Sequence, residues 1–199
     1  MLAYVIIAIT VAVSIACFNN WQLFDKLSLK PYRAVHAGEW YRVISHGFVH
    51  ADWTHLFVNM FTFWSFGQYI EQVFLYMGFG QWAFALLYLG GMIVASVSDL
   101  FRYRNTSWYT SVGASGAVSA VLFSAIFLNP WDKILLFAAI PVPGIVFGVL
   151  YLAYCQYMAR RGGDNINHYA HFYGAVYGFI FPILLNPRLF RIFLEHFKW

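Results

Sequence analysis

Apolar residues run along this chain in long blocks, separated by short polar or glycine- and proline-rich breaks. A helix that crosses a bilayer needs about 20 mainly apolar residues. Six blocks approach that length, at residues 2–18, 54–76, 81–101, 114–128, 144–158 and 167–185. Asn19-Asn20 ends the first, Gly78-Phe79-Gly80 forms a tight turn after the second, and Asn129-Pro130 stops the fourth. Residues 131–139 are apolar but too short to cross, and Pro141-Val142-Pro143-Gly144 closes that piece. The connection 19–53 mixes Trp21, Tyr32, Trp40, Tyr41 and Trp53 with Lys26, Lys30, Arg33 and Arg42. Aromatic and basic residues together suit the membrane–water boundary, and a connection this long usually carries structure of its own. The pattern predicts short interfacial helices there.

Composition agrees with the pattern. Of 199 residues, 61% are hydrophobic and only 10% charged, against about 25% charged in soluble domains. Too little polar surface remains for a soluble monomer, so the chain reads as one compact all-α membrane domain over 1–199. The formal charge of +4 is small and scattered, which gives no case for nucleic acid. Cys17 and Cys155 stand in separate apolar blocks with no redox or disulfide spacing, and read as small buried hydrophobes. The N-terminal block lacks a basic leader and a small-residue cleavage site, so it reads as a retained helix. The connections after blocks one, three and five hold eight basic residues against four on the other side. The positive-inside rule therefore favours termini outside.

Polar groups at membrane depth are expensive and mark function. Ser115 opens a short apolar block inside Gly113-Ala114-Ser115-Gly116. The bland alternative is a small-residue face for helix packing. A helix start, however, offers unpaired N–H groups and a positive dipole end, which suit an oxyanion. Gly113 can supply a positive φ there. His171 lies one turn before Gly174, and Gly174 with Gly178 makes a GxxxG face for close helix contact. That contact would carry the imidazole toward a partner helix, where it could serve as the base of a serine nucleophile. His55 and Asn59 are four apart on one face and can both donate to a developing oxyanion. His46 and His50, also four apart, allow a metal clamp, but a set with no HExxH and no thiolate is a weak metal pattern. Glu71 and Asp99 are the acids in or at the ends of blocks, and Glu71 is expected to tie the first connection to the second helix. Arg42 reads as a brace of that connection, or as an exposed interfacial arginine.

At these residues the chain resembles the rhomboid intramembrane serine proteases. The pattern H-x3-H-x4-H-x3-N is matched by His46, His50, His55 and Asn59, G-x-S-G by Gly113 to Gly116, and A-H-x-x-G-x-x-x-G by Ala170, His171, Gly174 and Gly178. Arg42 matches the arginine of a W-R motif whose tryptophan position holds Tyr41. The resemblance implies a six-helix core, a Ser115–His171 dyad, and an oxyanion site from His55, Asn59 and the Ser115 backbone N–H. It implies no metal or other cofactor, and single-span membrane proteins as substrates. By analogy the protein sits in a bacterial inner membrane, with the site toward the outer face and termini inside, against the charge count. One departure stands out: some bacterial members carry a tyrosine four residues after the serine, stacked on the base, where this chain has Ser119. The rival readings are a non-catalytic relative that binds membrane helices, a metal-dependent membrane enzyme using the histidine cluster, and a transporter.

Overall fold

A computed structural model describes residues 1–136 and 139–198. The chain opens with α1 (Leu2–Phe18), then threads three short helices, α2 (Trp21–Leu27), α3 (Pro31–His36) and α4 (Arg42–Ser45), and a 3-10 turn at His46–Phe48. Two 24-residue helices follow, α5 (Trp53–Tyr76) and α6 (Gly80–Tyr103), joined through Gly78 and Gly80, both at positive φ. After a polar loop come α7 (Ser115–Leu128), α8 (Gly144–Arg161), α9 (His168–Leu185) and α10 (Arg188–Glu195). Between α7 and α8 the all-helical expectation gives way locally to a hairpin, β1 (Lys133–Leu136) paired antiparallel with β2 (Ile140–Pro143). Part of the short apolar piece at 131–139, residues 137 and 138, lies outside the described residues.

α7 is the axis of the bundle. Its sequence is apolar or small on every side, which marks a helix surrounded by others. Every residue from Gly116 to Phe127 is buried, against α5, α6, α8 and above all α9. At 14 residues it is about 21 Å long, short of the roughly 30 Å hydrocarbon layer. Phe63, Phe74, Phe84, Leu87 and Tyr88 fill the space between α5 and α6 and are fully buried. The outward faces are apolar too: Phe57, Phe61 and Trp64 on α5 and Val146, Val149 and Leu150 on α8 are exposed. A surface of that kind needs a lipid solvent rather than water.

Helices occupy all six of the expected ranges, but length and apolarity single out fewer. Among the described residues α6 alone passes both criteria, and α9 with α10 passes as a pair bent by 115°. α1 and α7 are apolar but short, while α5 carries His55, Asn59, Gln68 and Glu71 along its length. The helices that hold the polar machinery are therefore the ones that look least like spans.

α1 runs antiparallel to α5, which brings its free amides to the far end of that helix. There Glu71, fully buried, accepts from the Leu2 N–H at 2.6 Å and the Ala3 N–H at 2.9 Å. This corrects the expectation that Glu71 ties the first connection: its partners are the start of α1, where a carboxylate meets unpaired donors and the positive helix end. The first connection is braced instead by Arg42, which is 1% exposed. Its guanidinium donates to Glu39 at 2.5 Å and to the carbonyls of Asp25 and Ser28, each at 2.7 Å. The exposed interfacial arginine is thus not what this residue is.

Candidate active site

Three successive fastenings hold the turn before Ser115, and all come from the first connection. Leu29 and Ser111 exchange backbone hydrogen bonds at 2.9 and 3.0 Å. The Gly113 N–H donates to the His46 carbonyl at 3.0 Å. The Ala114 N–H then donates to His50 Nε2 at 3.4 Å. An accepting Nε2 puts the proton on Nδ1, so His50 donates to Ser14 Oγ at 3.0 Å, and that hydroxyl donates to the Phe48 carbonyl at 2.9 Å. Burial, with the His55 charge as a smaller cause, lowers the pKa of His50 to about 3. The ring is therefore neutral at physiological pH, as an acceptor must be. His46, lowered to about 4 by burial, lies 2.9 Å from Ser96 Oγ on α6 through Nε2. His50 thus spends both ring nitrogens on this scaffold and His46 its Nε2, while the His46 Nδ1 is buried without a hydrogen-bond partner.

Gly113 has φ +116°, and a Cβ there would lie 2.6 Å from His55 Cε1. Glycine is required twice, for the backbone angle and for the approach of the imidazole. His55 starts on a capped helix end, since Asp52 accepts from the His55 N–H at 2.8 Å. Its ring thus lies over the serine turn, edge-on to His50 at 4.9 Å. Asn59 is buried one helical turn further on and donates to the His55 carbonyl at 2.9 Å, which uses one of its two amide hydrogens.

His171 approaches from α9. The Asn167 side chain caps that helix, accepting from the Ala170 N–H at 3.0 Å while its amide donates to Asp99 at 2.7 Å. Asp99 thus anchors the cap of the helix that carries His171. α9 then lies backbone to backbone on α7. A Cβ on Gly174 would fall on the Gly116 carbonyl, one on Gly178 on the Ala120 carbonyl, and one on Gly116 would come within 3.4 Å of the Ala170 carbonyl. Ser115 and His171 are the chain neighbours of Gly116 and Ala170, so they stand at the facing starts of two touching helices. Both are half-buried, and among the described residues Ser115 Oγ has no hydrogen bond. A small cavity beside Ser115 is lined by polar groups of His46, Ser96, Asp99, Ser111 and Asn167.

Sequence reasoning missed the aromatic partner of His171. Tyr151 on α8 lies parallel to the imidazole, with 11° between the planes and 6.4 Å between centroids. Its hydroxyl is 3.0 Å from Ser119 Oγ. Ser119, four residues after Ser115, thus meets a tyrosine from the next helix. One of 14 tyrosines could not be picked out by composition; only the small residue at 119 hinted that a ring must enter from elsewhere. Among the described residues, one set of His, Cys or acidic groups converges closely enough for a metal ion: Cys155, His168 and His171.

A family profile described as Rhomboid domain matches residues 37–188. Rhomboid protein 1, mitochondrial, of Saccharomyces cerevisiae is 31% identical over 90% of this chain and 52% of its own length. RHOMBOID-like protein 12, mitochondrial, of Arabidopsis thaliana is 27% identical over 87% of this chain and 56% of its own. Rhomboid protease GluP of Bacillus subtilis is 27% identical over 81% and 29%. The chain belongs to the rhomboid family and is an integral membrane protein of all-α architecture. It spans about half the length of the first curated relatives it matches.

Proposed function

We propose that this protein is an intramembrane serine endopeptidase. Ser115 attacks a peptide bond of a membrane-anchored helix and His171 takes its proton. The observation that carries this reading is the backbone contact of α7 and α9, which sets Ser115 and His171 at facing helix starts. The Ser115 N–H, at the positive end of α7, with His55 and Asn59, receives the oxyanion. His171 then protonates the leaving amine, and water hydrolyses the acyl-enzyme by the reverse proton path. Peptide bonds inside a helix are shielded by their own hydrogen bonds, so substrates unwind locally at the cut. Their site opens toward the outer face. The relatives carry mitochondrial, chloroplastic and bacterial names, so they lend a bacterial inner membrane no preference over an organellar one. The retained serine and histidine argue against the non-catalytic alternative.

A serine-reactive fluorophosphonate should label the wild-type protein on Ser115 and leave Ser115→Ala unlabelled. Equal labelling of the two would end the assignment. Asn59→Ala should lower kcat about a hundredfold, the usual cost of one oxyanion donor, with little change in KM. A rise in KM alone would make Asn59 a substrate-binding residue. Tyr151 acts through His171 by holding the ring plane. Tyr151→Leu should lower kcat about tenfold, or about 1.4 kcal/mol, while Tyr151→Phe keeps the ring and most of the rate. Loss of rate in the Phe variant would instead assign the effect to the Ser119 hydrogen bond. Because no step uses a metal, activity should survive prolonged EDTA or phenanthroline. Loss on chelation with recovery on added zinc would favour the metal-dependent enzyme.

A further inference from the structure

Three soft or borderline ligands meet where α8 and α9 face each other. One donor atom each of Cys155, His168 and His171 lies within 4.8 Å of the other two. Cys155 is 1% and His168 4% exposed. His168 is oriented as a metal ligand is: Nε2 faces both Asp164 carboxylate oxygens, at 3.0 and 3.1 Å. Its Nδ1 is buried without a hydrogen-bond partner. A carboxylate behind one ring nitrogen fixes the tautomer and raises the basicity of the other, and an unpaired buried nitrogen is costly unless something binds it.

We infer that Cys155, His168 and His171 form an inhibitory site for a thiophilic divalent ion of the zinc(II) class, which silences the protease by occupying its base. This inference rests on the proposed role of His171 for its consequence, but not for the binding itself. The donor set selects the metal: one thiolate with two imidazoles suits zinc or cobalt, while magnesium and calcium want oxygen. Zinc–nitrogen and zinc–sulfur bonds of about 2.0 and 2.3 Å put tetrahedral donors roughly 3.3–3.7 Å apart. The site therefore closes by no more than about 1.5 Å on binding. Cys155 gives its thiol proton to solvent as it coordinates, both imidazoles bind neutral, and a water completes the tetrahedron. Half-buried His171 gives the ion its way in. With its lone pair on the metal, His171 cannot take the serine proton.

The test uses the full chain in detergent and has two readouts. Cobalt(II) added to the Ser115→Ala protein should give the thiolate-to-cobalt charge-transfer band and the strong visible bands of tetrahedral cobalt. Cys155→Ala in that background should abolish the charge-transfer band, and His168→Gln should weaken cobalt binding at least tenfold. In the active protein, zinc should inhibit cleavage and EDTA should restore it. Cys155→Ala should keep the basal rate and need at least tenfold more zinc for the same inhibition. Should Cys155→Ala fail to fold, Asp164→Asn, which alters the group behind His168 and can still accept from the Ile166 N–H through its amide oxygen, should raise the zinc requirement by itself. The inference is overturned if the Ser115→Ala protein shows no charge-transfer band, or if zinc inhibits Cys155→Ala as strongly as wild type. A cobalt band in a protein whose Ser115 takes no fluorophosphonate would uphold the site and sink the catalytic reading instead.

Discussion

Ser115→Ala and His171→Ala should each lower turnover of a reporter transmembrane helix by on the order of 10⁴-fold or more, and the double variant should be no slower than either. The reason is that nucleophile and base act as one unit: a serine hydroxyl without its base is a poor nucleophile, and the imidazole has no other proton to take. The check is kcat/KM for all three variants beside thermal stability. Both residues are half-buried and Ser115 Oγ holds no hydrogen bond among the described residues, so the single variants should unfold at the wild-type temperature. Losses that multiplied in the double variant would mean that the two groups serve separate steps.

Gly178→Ala should be far more damaging than its single methyl suggests. The added Cβ would fall on the Ala120 carbonyl, backbone against backbone, with Ser124 Oγ already donating to the Gly178 carbonyl at 2.6 Å. Neither side can give without parting α7 from α9. Overpacking a core costs about 1–3 kcal/mol when side chains can shift, and here no side chain is available to shift, so the cost should reach the top of that range. Parting the helices also separates Ser115 from His171, so activity should fall along with the melting temperature. Gly90→Ala is the control. Its methyl would meet the Tyr177 hydroxyl, the end of a side chain that can turn aside, and both stability and rate should change much less. Equal damage from the two substitutions would show that the α7–α9 contact has no special role.

What could be read from the sequence was what periodicity expresses. His55 with Asn59, and His171 with Gly174 and Gly178, share helix faces, and the 3.6-residue repeat puts them there before any tertiary contact is known. Gly113 was legible because a positive φ beside a helix start has few other candidates. Partners supplied by a different helix were not legible. Tyr151, Ser14 and the amides that Glu71 accepts from lie 20 to 69 residues away from the groups they serve, and no spacing encodes them. Glu71 was misassigned for this reason: the acid itself was conspicuous in an apolar block, but its partner is a backbone that every residue possesses. Cys155 looked like a small hydrophobe because its neighbours His168 and His171 are a loop away. The strand pair of Lys133–Leu136 and Ile140–Pro143 was hidden by its two prolines and its shortness.

The His50 ring links the helix before the family profile to the part of the chain that the profile matches. The family profile begins at residue 37, yet Ser14 on α1 orients the histidine that receives the Ala114 N–H, and Glu71 on α5 in turn secures the start of α1. The boundary of the matched profile is therefore not the boundary of the packed structure. The first helix is a strut built into the turn before Ser115, and a replacement of that segment would have to keep a hydroxyl at the Ser14 position or rebuild the clamp on His50.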